Sequence, residues 1–219
     1  ASVQAMASPQ VIVPEADIRM APADDRNCAY GMGLFVSRFH DQPLLRHGGG
    51  GRGWRHAMAL APEIRAGVMV MASAESAAID GIALQLLEEL MGHEPEDWPT
   101  TFTHAAERAA ARERATIESE FPVQSGAPAA AIPPGRYGNP LTGTVTIAAK
   151  GTSLRFMPGD APDFTATIQP LGSETFALDF DEPALTPQPL DPPFRMRATM
   201  QAGAPCLETS YFGTLAGTT

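Results

Sequence analysis

Residues 122–135 read PVQSGAPAAAIPPG. Proline offers no backbone donor and glycine loses the most conformational entropy on ordering, so neither a helix nor a sheet propagates through such a stretch. It reads as a linker, and it divides the 219-residue chain into segments 1–121 and 136–219. Beyond it, RYGNPLTGTVTIAA, TSLRFMPG, DFTATIQPLG, ETFALDF, FRMRATMQ and CLETSYFGTLAG are short alternating segments separated by Gly, Pro, Asp and Asn. Their spacing predicts a small antiparallel β-barrel or sandwich. Before the linker, strand-like and helix-like patterns follow one another, so the expected class is α+β: an antiparallel half-sheet with packing helices, then a small all-β barrel.

In the first segment, CAYGMGLFVSRF (28–39) alternates as a strand, HDQP (40–43) signals a turn, and LLRH (44–47) leads into Gly48-Gly49-Gly50-Gly51. RHAMALAP (55–62) and RAGVMVMAS (65–73) read as two more strands. The second is apolar throughout, which predicts a buried central strand with Met69 and Met71 in the core. SAESAAIDGIALQLLEELMG (73–92) changes to helical period, with Ile79, Ile82, Leu86 and Leu90 on one stripe. Asp80, Gln85, Glu88 and Glu89 fall away from that stripe, and Glu63, Glu88 and Glu89 read as solvated charges. HAAERAAARERATIESEF (104–121) has strong helix propensity and a thin apolar face, as a connector helix would.

The charge balance removes some partners from consideration. With 15 Lys and Arg against 25 Asp and Glu, the formal net charge is −10, and no basic surface for nucleic acid is available by count. No apolar run is long enough to cross a bilayer as a helix. Cys28 and Cys206 stand at no metal-ligand spacing and read as buried thiols or one bridge. The chain opens on Ala1 rather than Met, which suggests processing or excision from a longer polypeptide.

The glycine run beside His47 is the strongest chemical feature. Four glycines in a strand sacrifice stability unless a backbone must approach something closely or aim its N–H groups at developing negative charge. Histidine at the same edge handles protons or supports an anionic intermediate, and acyl transfer uses both devices. A nucleophile is then required. Ser-x-x-Lys is absent, since Lys150 is the one lysine and Ile147 stands three residues before it. Gly-x-Ser-x-Gly is absent as well, and His47 and His56 do not belong to a His-Glu-x-x-His metal motif. No metal and no cofactor are expected.

The stretch YGMGLFVSRFHDQPLLRHGGGGRGWRHAMALAPEIRAGVMVMAS resembles the later part of the serine β-lactamase-like hydrolases. That group includes class C β-lactamases, D-aminopeptidases, penicillin-binding carboxypeptidases and related esterases. The likeness runs in order over residues 5–92, beginning at MASPQVIVPE. In that family an aromatic-Gly-x-Gly strand precedes a strand ending in Lys-Thr-Gly or His-x-Gly. The resemblance places His47-Gly48-Gly49 on that triplet, with His47 as the proton-handling group and Gly50 supplying an oxyanion N–H. It implies catalytic roles for His47, Gly49 and Gly50, and substrate contacts for Gly48, Gly51, Arg52 and Trp54. Ser73, at the end of the apolar strand, is a further cleft candidate. RYGNPLTGTVTIAA resembles the opening of a lipocalin-like domain often appended to these hydrolases.

The departure from the family is that its Ser-x-x-Lys and Tyr-x-Asn elements belong to a region that would precede this one. Tyr137-Gly138-Asn139 matches the second by letter, but it follows the linker and reads as a strand start and turn. The resemblance therefore implies the C-terminal portion of a β-lactamase-like serine hydrolase that cleaves amides or esters, such as peptides, D-amino acid amides, β-lactams or simple esters. An N-terminal chain or segment would carry the nucleophile as its partner, and this chain alone would be inactive. Relatives work in the periplasm or outside the cell, and several in the cytoplasm. The rival reading is a non-catalytic module that binds a small apolar ligand or assembles through its open sheet edges, as a homo-oligomer or by domain swapping.

Overall fold

The computed structural model describes residues 2–13, 28–51, 53–123, 132–141, 143–159, 164–181, 193–210 and 213–218. Residues 124–131, most of the expected linker, and Arg52 lie outside them. The chain divides into two compact units, Ala1–Ala109 and Ala110–Thr219.

The α+β expectation is corrected. Of the described residues 47% lie in strands and 23% in helices, so the chain is mostly β, with a six-stranded sheet and a separate eight-stranded closed barrel. Helical periodicity identifies an element without giving its share of the architecture. Over residues 73–121 it marks two long helices, against fourteen strands among the described residues.

In the first unit, helix α1 (Ser2–Met6) precedes the strands β1 (Val11–Ile12), β2 (Ala29–Tyr30), β3 (Phe35–Phe39), β4 (Gln42–Gly51), β5 (Trp54–Ala61) and β6 (Ala66–Ala72). The strands lie in sequence order and all pair antiparallel. Helix α2 (Ala78–Leu90) covers one face, with Ile79, Ala83, Leu84 and Leu87 buried against Phe39, Leu44, Ala57, Ala59 and Ala61. Three alanines in β5 let the helix come close, and the first turns of α3 (Trp98–Glu120) add Trp98 and Phe102 to the same core.

Strand β6 is also corrected. It is the terminal strand of the sheet, not a central one, and only its Val68 and Val70 side packs toward α2. Met69 and Met71 are 59% and 73% exposed. An apolar run alone does not tell a strand covered on both faces from one covered on a single face.

Glu88, expected to be solvated, is buried completely. Its carboxylate accepts the Trp98 indole N–H at 2.6 Å and the Glu96 main-chain N–H at 2.8 Å, and it pairs with His40 Nε2. His40 and Asp41 form the two-residue turn between β3 and β4, both with positive φ, as a type I′ hairpin requires. The His40 ring also stacks on His93 at 4.3 Å. One carboxylate thus joins a hairpin turn, the end of α2 and the start of α3. Burial by itself would raise the Glu88 pKa, but the bonds from His40, Glu96 and Trp98 outweigh it and leave the carboxyl below its ordinary value.

The second unit is an up-and-down barrel. Strands β7 (Gly135–Asn139), β8 (Gly143–Lys150), β9 (Ser153–Pro158), β10 (Ala166–Pro170), β11 (Thr175–Phe180), β12 (Arg195–Gln201), β13 (Ala204–Thr209) and β14 (Gly213–Thr218) pair with their sequence neighbours. Pairing of β14 with β7 closes the ring. Such a barrel is consistent with a lipocalin-like fold. Tyr137, Val145, Ile147, Phe156, Ile168, Phe176, Leu178, Met196, Leu207 and Leu215 fill its interior. The Arg197 guanidinium donates to Glu208 Oε2 and to the Glu120 carbonyl, and lies 5.4 Å from the Phe121 ring centre, which fastens the end of α3 to the barrel. Cys28 and Cys206 are both buried, each as a thiol.

The Glu88 node sets a pH expectation. A carboxyl held below its unfolded pKa of about 4.3 stabilises the fold above that value, and the contribution is lost as pH falls through the lower folded value. Urea unfolding should therefore show an acid limb that flattens in Glu88→Gln. At neutral pH, Glu88→Ala should cost about 3 kcal/mol, because the donors on Trp98, Glu96 and His40 lose their acceptor.

Candidate functional site

Strand β4 is paired on both sides only at Leu45 and Arg46. The ladder with β3 ends at Phe35↔Arg46, whereas the ladder with β5 continues from Leu45 to Gly51. Among the described residues, His47–Gly51 therefore leave one main-chain edge open. All four glycines lie within the strand.

Cross-strand partners share a face, so Gly49 lies beside His56 and Gly51 beside Trp54. A Cβ on Gly49 would stand 2.7 Å from the His56 ring, and one on Gly51 would stand 2.7 Å from the Trp54 indole nitrogen. The two rings stack at 5.4 Å with only 9° between their planes, and they lie over the glycines. On the face toward α2, a Cβ on Gly48 would meet Asp80 Oδ1 at 2.9 Å, and one on Gly50 would meet the Trp54 carbonyl oxygen at 2.9 Å. Each glycine is thus tied to a neighbour that occupies the space of a side chain.

A cavity of about 280 Å³ adjoins this strand. His47, Gly48, Gly49 and Gly50 line it together with Phe35, Ala57, Met58, Ala59, Ala83, Leu84 and Phe102. Three charged residues complete the wall: Arg46, Arg55 and Asp80. Arg55 Nε donates to Asp80 Oδ2 at 2.6 Å. The His47 ring lies 6.4 Å from that of Phe35 and 6.5 Å from that of Tyr30. An apolar floor with a few convergent polar groups suits a small organic ligand.

The structure gathers His47, Gly48, Gly49 and Gly50 around one cavity. Gly51 is at the end of the same strand, while Trp54 turns onto His56 and borders a second, more open depression with Arg55, Met71 and Ser73. Ser73 is accordingly not among the residues around His47. The cavity lining includes no Ser, Thr, Cys, Lys or Tyr, hence no nucleophile from the described residues. The sequence reading missed Arg46, Arg55 and Asp80. The signal available for them was one arginine on each of two neighbouring strands, together with one acid in the first turn of the helix. Asp80, which the sequence pattern sets away from the Ile79 stripe, faces the sheet. Three or more His, Cys, Asp or Glu side chains do not converge as a metal site anywhere among the described residues.

No family model matches this sequence, and no curated protein matches it. Among solved structures, an octameric penicillin-binding protein homologue from Pyrococcus abyssi is 16% identical at a TM-score of 0.38, covering 97% of this chain and 41% of that one. Two structures of SurE, one with D-Leu, are each 16% identical at a TM-score of 0.35, covering 99% of this chain and 42% and 43% of theirs. The chain spans about two fifths of the length of these neighbours. Likenesses at this level do not establish a family.

The glycine geometry predicts a ranking. Gly50→Ala meets main chain that cannot withdraw and should destabilise the first unit by about 2 kcal/mol. Gly51→Ala displaces only the Trp54 ring, which is 49% exposed, and should change stability by less than about 0.5 kcal/mol. Urea unfolding of the two variants checks the order.

Proposed function

We propose that this chain forms the substrate-strand side of an acyl-transfer site in a serine hydrolase that cleaves amide or ester bonds. The observation that carries the reading is the open edge of β4 at His47–Gly51 beside the cavity. An extended acyl group adds to such an edge as an extra strand, drawing affinity from main-chain hydrogen bonds. The glycines keep side chains out of its way. The N–H of Gly50 is the proposed donor to the oxyanion of the tetrahedral intermediate, and His47 the group that moves or balances a proton beside it.

The attacking serine in this reading comes from polypeptide outside these 219 residues. The lining of the cavity contains no hydroxyl, thiol or amine to replace it. Peptides, D-amino acid amides, β-lactams and simple esters are the substrate classes, and the chemistry requires no cofactor. The rival reading, a small apolar ligand held inside the barrel, gains no support from an interior filled by ten large side chains and the buried Tyr137 hydroxyl bonded to the Pro133 carbonyl at 2.7 Å.

Labelling with a fluorophosphonate and a fluorescent penicillin, read by intact mass, tests the proposal. The 219-residue chain alone should remain unlabelled. In the assembly that supplies the serine, His47→Ala should slow acylation by about a hundredfold or more with an unchanged circular dichroism spectrum. A label on any serine of this chain, Ser73 included, overturns the reading, as does a His47→Ala variant acylated at the wild-type rate.

A further inference from the structure

Ala57 and Ala59 of β5 and Val68 and Val70 of β6 pack toward α2. Side chains alternate along a strand, so His56, Met58, Met69 and Met71 stand on the opposite face of the sheet. The register pairs His56 with Met71 and Met58 with Met69. Paired residues hold their Cβ atoms about 5 Å apart, and residues two apart on one strand are separated by about 6.6 Å. One imidazole and three thioethers therefore occupy the corners of a small rectangle, over whose centre flexible methionine side chains can converge. Met69 and Met71 are exposed and Met58 is half-buried.

The imidazole corner is oriented by its neighbours. The His56 ring stacks on that of Trp54 at 5.4 Å with 9° between their planes, and Gly49 leaves the space it fills. Among the described residues no group hydrogen-bonds to the His56 ring nitrogens. Arg55, which stands between Trp54 and His56 in the chain, turns to the other face and donates to Asp80, so its charge is drawn away from the methionines. Trp54, His56 and Met71 border one open depression.

Donor chemistry selects the occupant. Thioether sulfur is uncharged and polarizable and ligates soft cations such as Cu(I), whereas Mg²⁺ and Ca²⁺ take oxygen ligands and structural Zn²⁺ takes thiolate and imidazole. Thioethers are a different class from the His, Cys, Asp and Glu side chains, which do not converge as a metal site among the described residues. The face of the Trp54 ring adds a favourable surface for a cation bound at its side. We propose that His56, Met58, Met69 and Met71 bind one soft monovalent cation, Cu(I) or Ag(I), with Trp54 as the residue that positions the imidazole. The site does not depend on the acyl-transfer reading, since it uses neither an attacking serine nor the open edge of β4.

Carbon-13 NMR of the 219-residue chain, labelled on the methyl groups of its ten methionines, tests the site. Ag(I), and separately Cu(I) kept reduced under argon, should move the Met58, Met69 and Met71 signals to saturation within about three equivalents, enough to fill this site and the two buried thiols. The exposed methionines Met6, Met32 and Met200, which have no such cluster, serve as internal controls and should stay in place. Zn²⁺ at the same concentration should move none of the three. The double variant Met69→Leu, Met71→Leu keeps the side-chain volumes and should weaken Ag(I) binding, read at the Met58 methyl and the His56 ring, by about a hundredfold. Trp54→Leu should weaken it by about tenfold. Shifts spread equally over the three control methionines, no movement of the Met58, Met69 and Met71 signals, or unchanged affinity in the double variant would each overturn the proposal.

Discussion

Burying the Glu88 carboxylate removes it from water at a cost that only converging donors offset, and the donors come from three separate elements. The turn between β3 and β4, the end of α2 and the start of α3 must all arrive together for that site to close. The consequence reaches the cavity. Trp98, held by Glu88, begins the helix from which Phe102 descends to the cavity wall, and Gly81 allows α3 to cross α2 closely enough for it to do so. His40 accepts a left-handed backbone in the turn while its ring pairs with Glu88 and stacks on His93.

The glycines of β4 serve two requirements at once. Toward α2, Gly48 leaves space for Asp80, which pairs with Arg55 across the top of the cavity. On the other face, Gly49 and Gly51 lie under the stacked rings of His56 and Trp54. The strand remains smooth on both faces and open along one edge. Its tolerance of so much glycine is explained by packing before any substrate is considered, and the open edge is what adds the functional reading.

Parts of this arrangement were legible in the residues. The helical period at 73–92 located α2, and the short alternating segments after residue 135 located the strands of the second unit. Asn139 ends its strand as a turn residue should, accepting the Leu141 N–H at 2.9 Å. Other parts were not legible. Glu88 and Glu89 are adjacent acids of one helix, yet one is buried and the other is not, because only the first meets Trp98 and His40. The α+β expectation failed for a related reason: periodicity identifies an element but not its share of the architecture. Met69 and Met71, expected in a core, are exposed, because the pattern of β6 does not reveal how many of its faces are covered.

The amino-acid sequence by itself determined where strands, turns and helices could begin and end, through proline and glycine punctuation and the periods of apolar residues. It also determined that the chain is acidic and that His47 stands against a strand without side chains. Only the tertiary structure decided that β6 is an edge, that Glu88 and Asp80 face inward, and that Arg46, Arg55 and Asp80 share a cavity with the glycines. The reason is physical. Local propensity acts over a few residues, whereas burial, pairing edges and ion pairs depend on residues such as His40 and Glu88, which are 48 positions apart and meet only when the sheet and its helices close together.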